Sequence, residues 1–265
     1  LARDSMFSVV MIALTGVTGL CNLLAAVRRG ALCDDGKVDT SQMVGPNLLG
    51  ALTYFDLIST MCVLALVIPN FSRSTTEANF STPVNVVLSV VALGFYAVFI
   101  SAQMGRYSNL YTERKSLIIR DEVALEAEAQ ALPLWKAATL LVAGLLVVCL
   151  IAESMGQLIE TGITDLGLPS SLAGVLVAML ILAPEALNAV QAASQGEVQR
   201  SINTLYGSVV ATVSLTVPAV LVLGVITNTD VILGLEPFEM VLLALTLILS
   251  YPHPRLTGLE GRMKL

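Results

Sequence analysis

Seven long apolar runs, each ended by a charged residue, Pro, Asn or Gly, constrain this chain more than any other feature. They cover residues 5–27, 47–68, 84–104, 134–155, 170–193, 202–226 and 231–251. A bilayer core is crossed by about 20 apolar helical residues, so each run is long enough to span. An open sheet would leave edge groups unsatisfied in lipid, and the residue-by-residue alternation of a membrane β-barrel is absent. The expectation is an all-α fold, a polytopic transmembrane helix bundle of about seven helices seated in a lipid bilayer. Composition agrees. Only 13% of the residues are charged, where a soluble domain carries roughly 25%, and the mean hydropathy is +0.82.

The charges collect between the runs and predict an orientation. Loops 28–46, 105–133 and 194–201, the tail after 251 and Lys136 together hold twelve of the 14 Lys and Arg residues. Arg3 and Arg73 stand alone on the other side. This bias puts the N-terminus outside and the C-terminus in the cytoplasm. Two glycosylation-like sequons, at Asn70 and Asn79, fall in a short outer loop close to the bilayer, where they read as incidental. Cytoplasmic loop 105–133 is acidic and reads first as a solvated linker, with its stretch 117–132 readable also as a surface helix with an acidic face.

Other function classes have little to work with. The net charge of −6 and its place in the loops do not suggest a nucleic-acid partner. Cys21, Cys33, Cys62 and Cys149 show no CxxC spacing and three of them sit in apolar runs, so they read as small buried hydrophobes. A single histidine, His253, leaves zinc chemistry and Ser/His catalysis unsupported. No HExxH, nucleophile elbow or paired-Asp motif is present, so the chain does not read as an enzyme.

Chemistry is suggested instead by ionisable groups inside the runs, which are costly in lipid. Glu185 follows Pro184 in Leu180-Ile181-Leu182-Ala183-Pro184-Glu185. Proline has no N–H, so the Leu180 carbonyl loses its helical partner. A freed carbonyl beside a carboxylate is the beginning of a hard-oxygen cation site. The carboxylate also takes a proton, so cation and proton compete for one group, which is the physical minimum for an antiporter. The next run carries Asn203, Thr204, Gly207, Ser208, Thr212, Ser214 and Thr216. Glu185 and Ser208 lie about 12 and 9 Å deep at 1.5 Å per residue, so the two can meet at one level. Gly207 reads as a place where another backbone approaches closely. The hydroxyls alone are equally readable as a small-residue packing seam.

The remaining acids say less. Asp56 sits mid-run and calls for a partner on another helix. Glu153 and Glu160 read as interfacial, and Glu236 and Glu239 flank Pro237 as helix-capping groups.

From 168 to 250 the sequence resembles the second half of bacterial calcium/proton antiporters, the sodium–calcium/proton, ChaA-like branch of the cation/calcium exchanger superfamily. The residues that carry this are Leu182-Ala183-Pro184-Glu185, Gln199-Arg200-Ser201-Ile202-Asn203, Gly207-Ser208-Val209-Val210-Ala211-Thr212, Leu215-Thr216-Val217-Pro218 and Glu239-Met240-Val241. Arg3-Asp4-Ser5-Met6-Phe7, Pro69-Asn70-Phe71-Ser72 and Tyr96-Ala97-Val98-Phe99 extend it to the first half.

The resemblance implies two inverted repeats that each bring a Glu-bearing and a Gly/Ser/Asn-bearing helix to a midplane cation site. Residues 1–104 then form the remainder of the first repeat, 105–133 the linker, 134–251 the second repeat and 252–265 a polar tail. Glu185 matches the acidic ligand, with Asn203 and Ser208 on its partner helix and Leu180 and Thr212 beside them. Asn203 precedes Gly207 by four residues where the wider superfamily has three. The first repeat's Glu helix would precede Arg3-Asp4, so the sequence holds half of the expected site, and a second copy or a missing N-terminal repeat half would complete it. The implied activity is calcium/proton exchange with no bound cofactor. Sodium or potassium in place of calcium, or a non-transporting membrane scaffold working through the acidic linker, are the alternatives.

Overall fold

The computed structural model describes residues 2–32, 47–72, 81–105, 107–111, 133–167, 170–227, 229 and 231–252. All seven runs contain helix, and the described residues contain no strand. Helix α1 (Ala2–Met11) continues through a π-helical segment (Ile12–Val17) into α2 (Thr18–Leu32). Helix α3 (Leu48–Cys62) continues through a second π segment (Val63–Val67) and a 3₁₀ turn (Ile68–Phe71). There follow α4 (Thr82–Met104), the short α5 (Ser108–Tyr111), α6 (Leu134–Asp165), α7 (Ser170–Gln195), α8 (Val198–Thr227) and α9 (Pro237–Ser250). Five stretches are long and apolar enough to cross a membrane: Ala2–Val27, Leu48–Phe71, Pro83–Met104, Leu172–Gln195 and Val198–Thr227.

The seventh run departs from expectation. Only its 14 residues from Pro237 are helical, about 21 Å of helix against a hydrocarbon core of about 30 Å. Residues 231–236 run as irregular chain. Gly234 and Pro237 disfavour an earlier helix start, and protein groups take up the backbone that helix would have satisfied. Leu235 N–H donates to the Leu66 carbonyl at 2.9 Å, and the Arg3 guanidinium donates to the Gly234 carbonyl at 3.1 Å. Leu233 and Leu235 are buried. Irregular backbone at membrane depth is tolerated under such cover.

Helix ends follow local chemistry. Asn47 caps α3 by accepting from Leu49 N–H at 3.1 Å. Pro83 and Pro237 stand in the first turns of α4 and α9, where a missing N–H costs nothing. At Glu236 and Glu239 a reciprocal capping box closes the start of α9. Gly196, at φ +86°, ends α7; its N–H reaches the Ala193 carbonyl and that of Glu197 reaches Ala192, a Schellman turn. Only Gly196 and Glu197 separate α7 from α8, so the two helices return antiparallel.

Helix α8 is the hub. It packs against α1, α2, α3, α4, α5 and α7, and Leu205, Val209, Val213 and Val217 on it are fully buried. Helix α6 packs on α7 and leaves Leu140, Leu141, Val147 and Ile151 exposed, as a lipid-facing helix does. A Cβ on Gly174 would lie 2.6 Å from Asp4 Cβ, so α1 and α7 touch almost backbone to backbone there. At one end of the bundle Asn47 N–H donates to the Gln199 side chain. At the other, Asn70 Nδ2 donates to the Leu66 and Val67 carbonyls and reaches Met240 Sδ. The first sequon is therefore folded against its own helix. The second sequon and the stretch 117–132 lie outside the described residues. Cys21 and Cys62 are free thiols buried in the core.

Candidate functional site

Glu185 stands ten residues before the end of α7 and Ser208 ten residues after the start of α8. At 1.5 Å per residue both lie about 15 Å from the turn that joins their helices, near the middle of a hydrocarbon core. Ser208 Oγ donates to Glu185 Oε1 at 3.5 Å. That is long for an O–H···O bond, whose usual length is about 2.7–2.8 Å. The other carboxylate oxygen, Oε2, is buried and has no hydrogen-bond partner among the described residues. Buried polar atoms nearly always have a partner, so an orphaned carboxylate oxygen at this depth is a candidate place for a proton or a cation.

The other expected site residues divide. Thr212 is half-buried one turn beyond Ser208 on the same face of α8. Pro184 sits inside an unbroken α7 and cannot donate to the Leu180 carbonyl. The Leu180 side chain is itself half-exposed, so only its main chain has anything to offer a cation. Asn203 is not at the carboxylate. It precedes Ser208 by five residues, which places it about 140° around the helix. Its Nδ2 donates to the Tyr111 carbonyl and its Oδ1 accepts from Gln199 Nε2 at 2.8 Å. Gly207 also differs from expectation. A Cβ there would meet the ring of Tyr54 at 3.8 Å, an ordinary contact with a side chain and no close backbone.

Asp56 is exposed on α3, and its own carbonyl accepts from Ser59 Oγ at 3.1 Å. Glu153 and Glu160 fall on α6. Among the described residues no three of His, Cys, Asp and Glu gather as a metal-holding group. Among the described residues, Glu185 is the acid hydrogen-bonded to Ser208.

Two features were not found from sequence. The π segment Ile12–Val17 packs against both α7 and α8, and within it Thr15 Oγ1 donates to the Met11 carbonyl at 2.5 Å. The small, polar run Thr15-Gly16-Val17-Thr18 inside an apolar stretch is its only signal, and π segments often accompany functional sites. The second feature is an aromatic and amide cluster between α3, α4, α5 and α8. There Tyr54 packs on Phe99 and Tyr111, with ring centroids 4.9 and 5.4 Å apart.

Comparison with known proteins matches the sequence to one family. The profile of the family described as "Sodium/calcium exchanger protein" matches residues 1–105 and 136–264. The chain is 32% identical, over all of its own length and 68% of the other's, to "Putative ionic transporter y4hA" of Sinorhizobium fredii. It is 29% identical, over 95% of its length and 64% of the other's, to "Sodium-potassium/proton antiporter ChaA" of Escherichia coli. The chain therefore spans about two-thirds of the length of these relatives. With most of its residues inside the profile and its helices in a membrane-spanning bundle, the chain belongs to the sodium/calcium exchanger family, a family of transporters.

Proposed function

We propose that this chain carries the second-repeat half of the ion site in an antiporter that exchanges calcium for protons, with Glu185 taking the cation and the proton in turn. The single observation behind this reading is the Glu185 carboxylate. One oxygen is buried without a partner, and the other stands 3.5 Å from the Ser208 hydroxyl. Two oxygens at right angles on a calcium ion, each at the usual distance of about 2.4 Å, are about 3.4 Å apart. The observed spacing suits two such ligands better than it suits a direct hydrogen bond. Thr212 extends the same face, and the Leu180 carbonyl freed by Pro184 offers a further oxygen. One carboxylate and these neutral groups fall short of the six to eight oxygens of a calcium shell, so the remaining ligands come from a second copy or from a further part of the first repeat.

Sodium or potassium is the alternative cargo, favoured by the name of the Escherichia coli relative, a sodium-potassium/proton antiporter. Oxygen ligands alone do not separate these ions. The N-terminus is placed outside and the C-terminus in the cytoplasm by the Lys and Arg distribution.

The test is ion uptake into everted membrane vesicles energised by a proton gradient, with calcium, sodium and potassium offered separately. Uptake should need the gradient, and Glu185→Gln should reduce it by about a hundredfold or more while the protein still inserts. Full exchange by the inserted mutant would remove Glu185 from the site. A chain that inserts and moves no ion, with or without Glu185, would favour the scaffold reading for these 265 residues.

A further inference from the structure

An ion held at Glu185 and Ser208 must reach both ends of the bundle to be exchanged. Toward the end formed by α5 and the α7–α8 turn stands a defined set of side chains. Tyr54 is fully buried, and its ring lies against Gly207, one residue from Ser208. Phe99, Tyr111 and Tyr206 surround it, with ring centroids 4.9, 5.4 and 6.3 Å from its own. Phe99 and Tyr111 also face each other at 6.0 Å. All four contacts are tilted or edge-on, the favoured geometry for aromatic pairs.

The polar groups around these rings are paired. Gln103 Nε2 donates to Tyr54 Oη at 2.7 Å, and the hydroxyls of Thr53 and Tyr111 share a hydrogen bond of 2.8 Å. Asn203 donates to the Tyr111 carbonyl and is itself held by Gln199. A satisfied network of this kind holds its members in one arrangement and resists entry of water or an ion.

We propose that this cluster is the gate that closes the Glu185–Ser208 site toward the α5 end, with α5 as its movable bolt. The proposal rests on Glu185 being the ion site. Helix α5 is four residues long and packs on α3, α4 and α8. Among the described residues Tyr111 is one anchor and Gly50 another, since a Cβ there would lie 2.8 Å from the Leu110 carbonyl oxygen. A four-residue helix is not stable by itself, so its place depends on these contacts. Withdrawing α5 removes Tyr111 from Tyr54, and Tyr54 can then leave Gly207 and uncover Ser208. Asn203 is a positioning residue in this scheme. It touches no ion and acts through Tyr111.

The test is thiol accessibility. Ser208→Cys is placed in a full-length chain lacking the four native cysteines and treated in membrane vesicles with a membrane-impermeant maleimide from either face. Tyr107→Cys, at an exposed position beside α5, reports which face carries the gate. From that face Ser208→Cys should label slowly. Adding Tyr54→Ala, Gly50→Ala or Asn203→Leu should each speed labelling about tenfold, the equivalent of losing one buried hydrogen bond. Tyr54→Phe, which keeps the ring, should raise it less. Labelling from the opposite face should not follow these changes. Fast labelling in the parent, or rates indifferent to both Gly50→Ala and Asn203→Leu, would overturn the gate, and neither variant depends on Tyr54→Ala folding. Indifferent labelling beside a dead Glu185→Gln would sink the gate and spare the site. Gate-dependent labelling beside a fully active Glu185→Gln would do the reverse.

Discussion

Glu185 keeps one buried carboxylate oxygen without a hydrogen bond, while Asn203 has both ends of its amide engaged. The two groups meet the same helix, α8, on faces about 140° apart. The face with Gln199, Asn203 and Gly207 lies against α3 and α5, and its polar groups are paired. On the face with Ser208 the only hydrogen bond to the carboxylate among the described residues is 3.5 Å long. A satisfied network resists change, and an unsatisfied carboxylate invites a ligand. One helix therefore supplies both a paired face and an unpaired carboxylate's neighbour, and the two adjoin at Gly207 and Ser208.

The largest effect should come from the unsatisfied side. Glu185→Gln keeps the shape and removes the charge, so exchange should fall by about a hundredfold or more. A smaller loss would mean that the orphaned oxygen is not where the ion sits. Next come two glycine substitutions on the paired side. Gly50→Ala forces a Cβ against the Leu110 carbonyl and should cost about 1–3 kcal/mol in thermal or denaturant unfolding in detergent. Gly207→Ala makes only an ordinary contact with Tyr54 and gains up to about 1 kcal/mol of helix propensity. It should be neutral or stabilising. Equal destabilisation by both would show that Tyr54 sits tighter on α8 than the gate allows. Ser208→Ala should weaken apparent cation affinity by about tenfold or less, the worth of one neutral ligand, read from the concentration dependence of exchange. The smallest change belongs to neither face. Glu239→Ala breaks the capping box of α9 and should lower stability by about 0.5–1 kcal/mol with the cation affinity unchanged.

The membrane-spanning, all-helical character was legible because it depends on run length and composition alone. Where a run failed as a helix, at 231–236, the cause was an interaction no local pattern reports. Leu66 and Arg3, far away in sequence, take up the Leu235 N–H and the Gly234 carbonyl. The meeting of Glu185 with Ser208 was also within reach of sequence, since a two-residue turn sets equal depth on two antiparallel helices.

Asn203 was not. Counting residues gives depth along an axis, and it puts Asn203 about 7.5 Å nearer the turn than Ser208, but which way a side chain faces is decided by the helices packed on each side of α8. The Tyr54 cluster was hidden for a similar reason. Its members come from α3, α4, α5 and α8, and each alone is one more aromatic residue in or beside an apolar run. The sequence by itself determined that this chain lies in a bilayer as helices and where its one Pro-Glu carboxylate falls. The tertiary structure alone decided which polar groups are paired and which are left unpaired, because hydrogen-bond pairing belongs to neighbours in space.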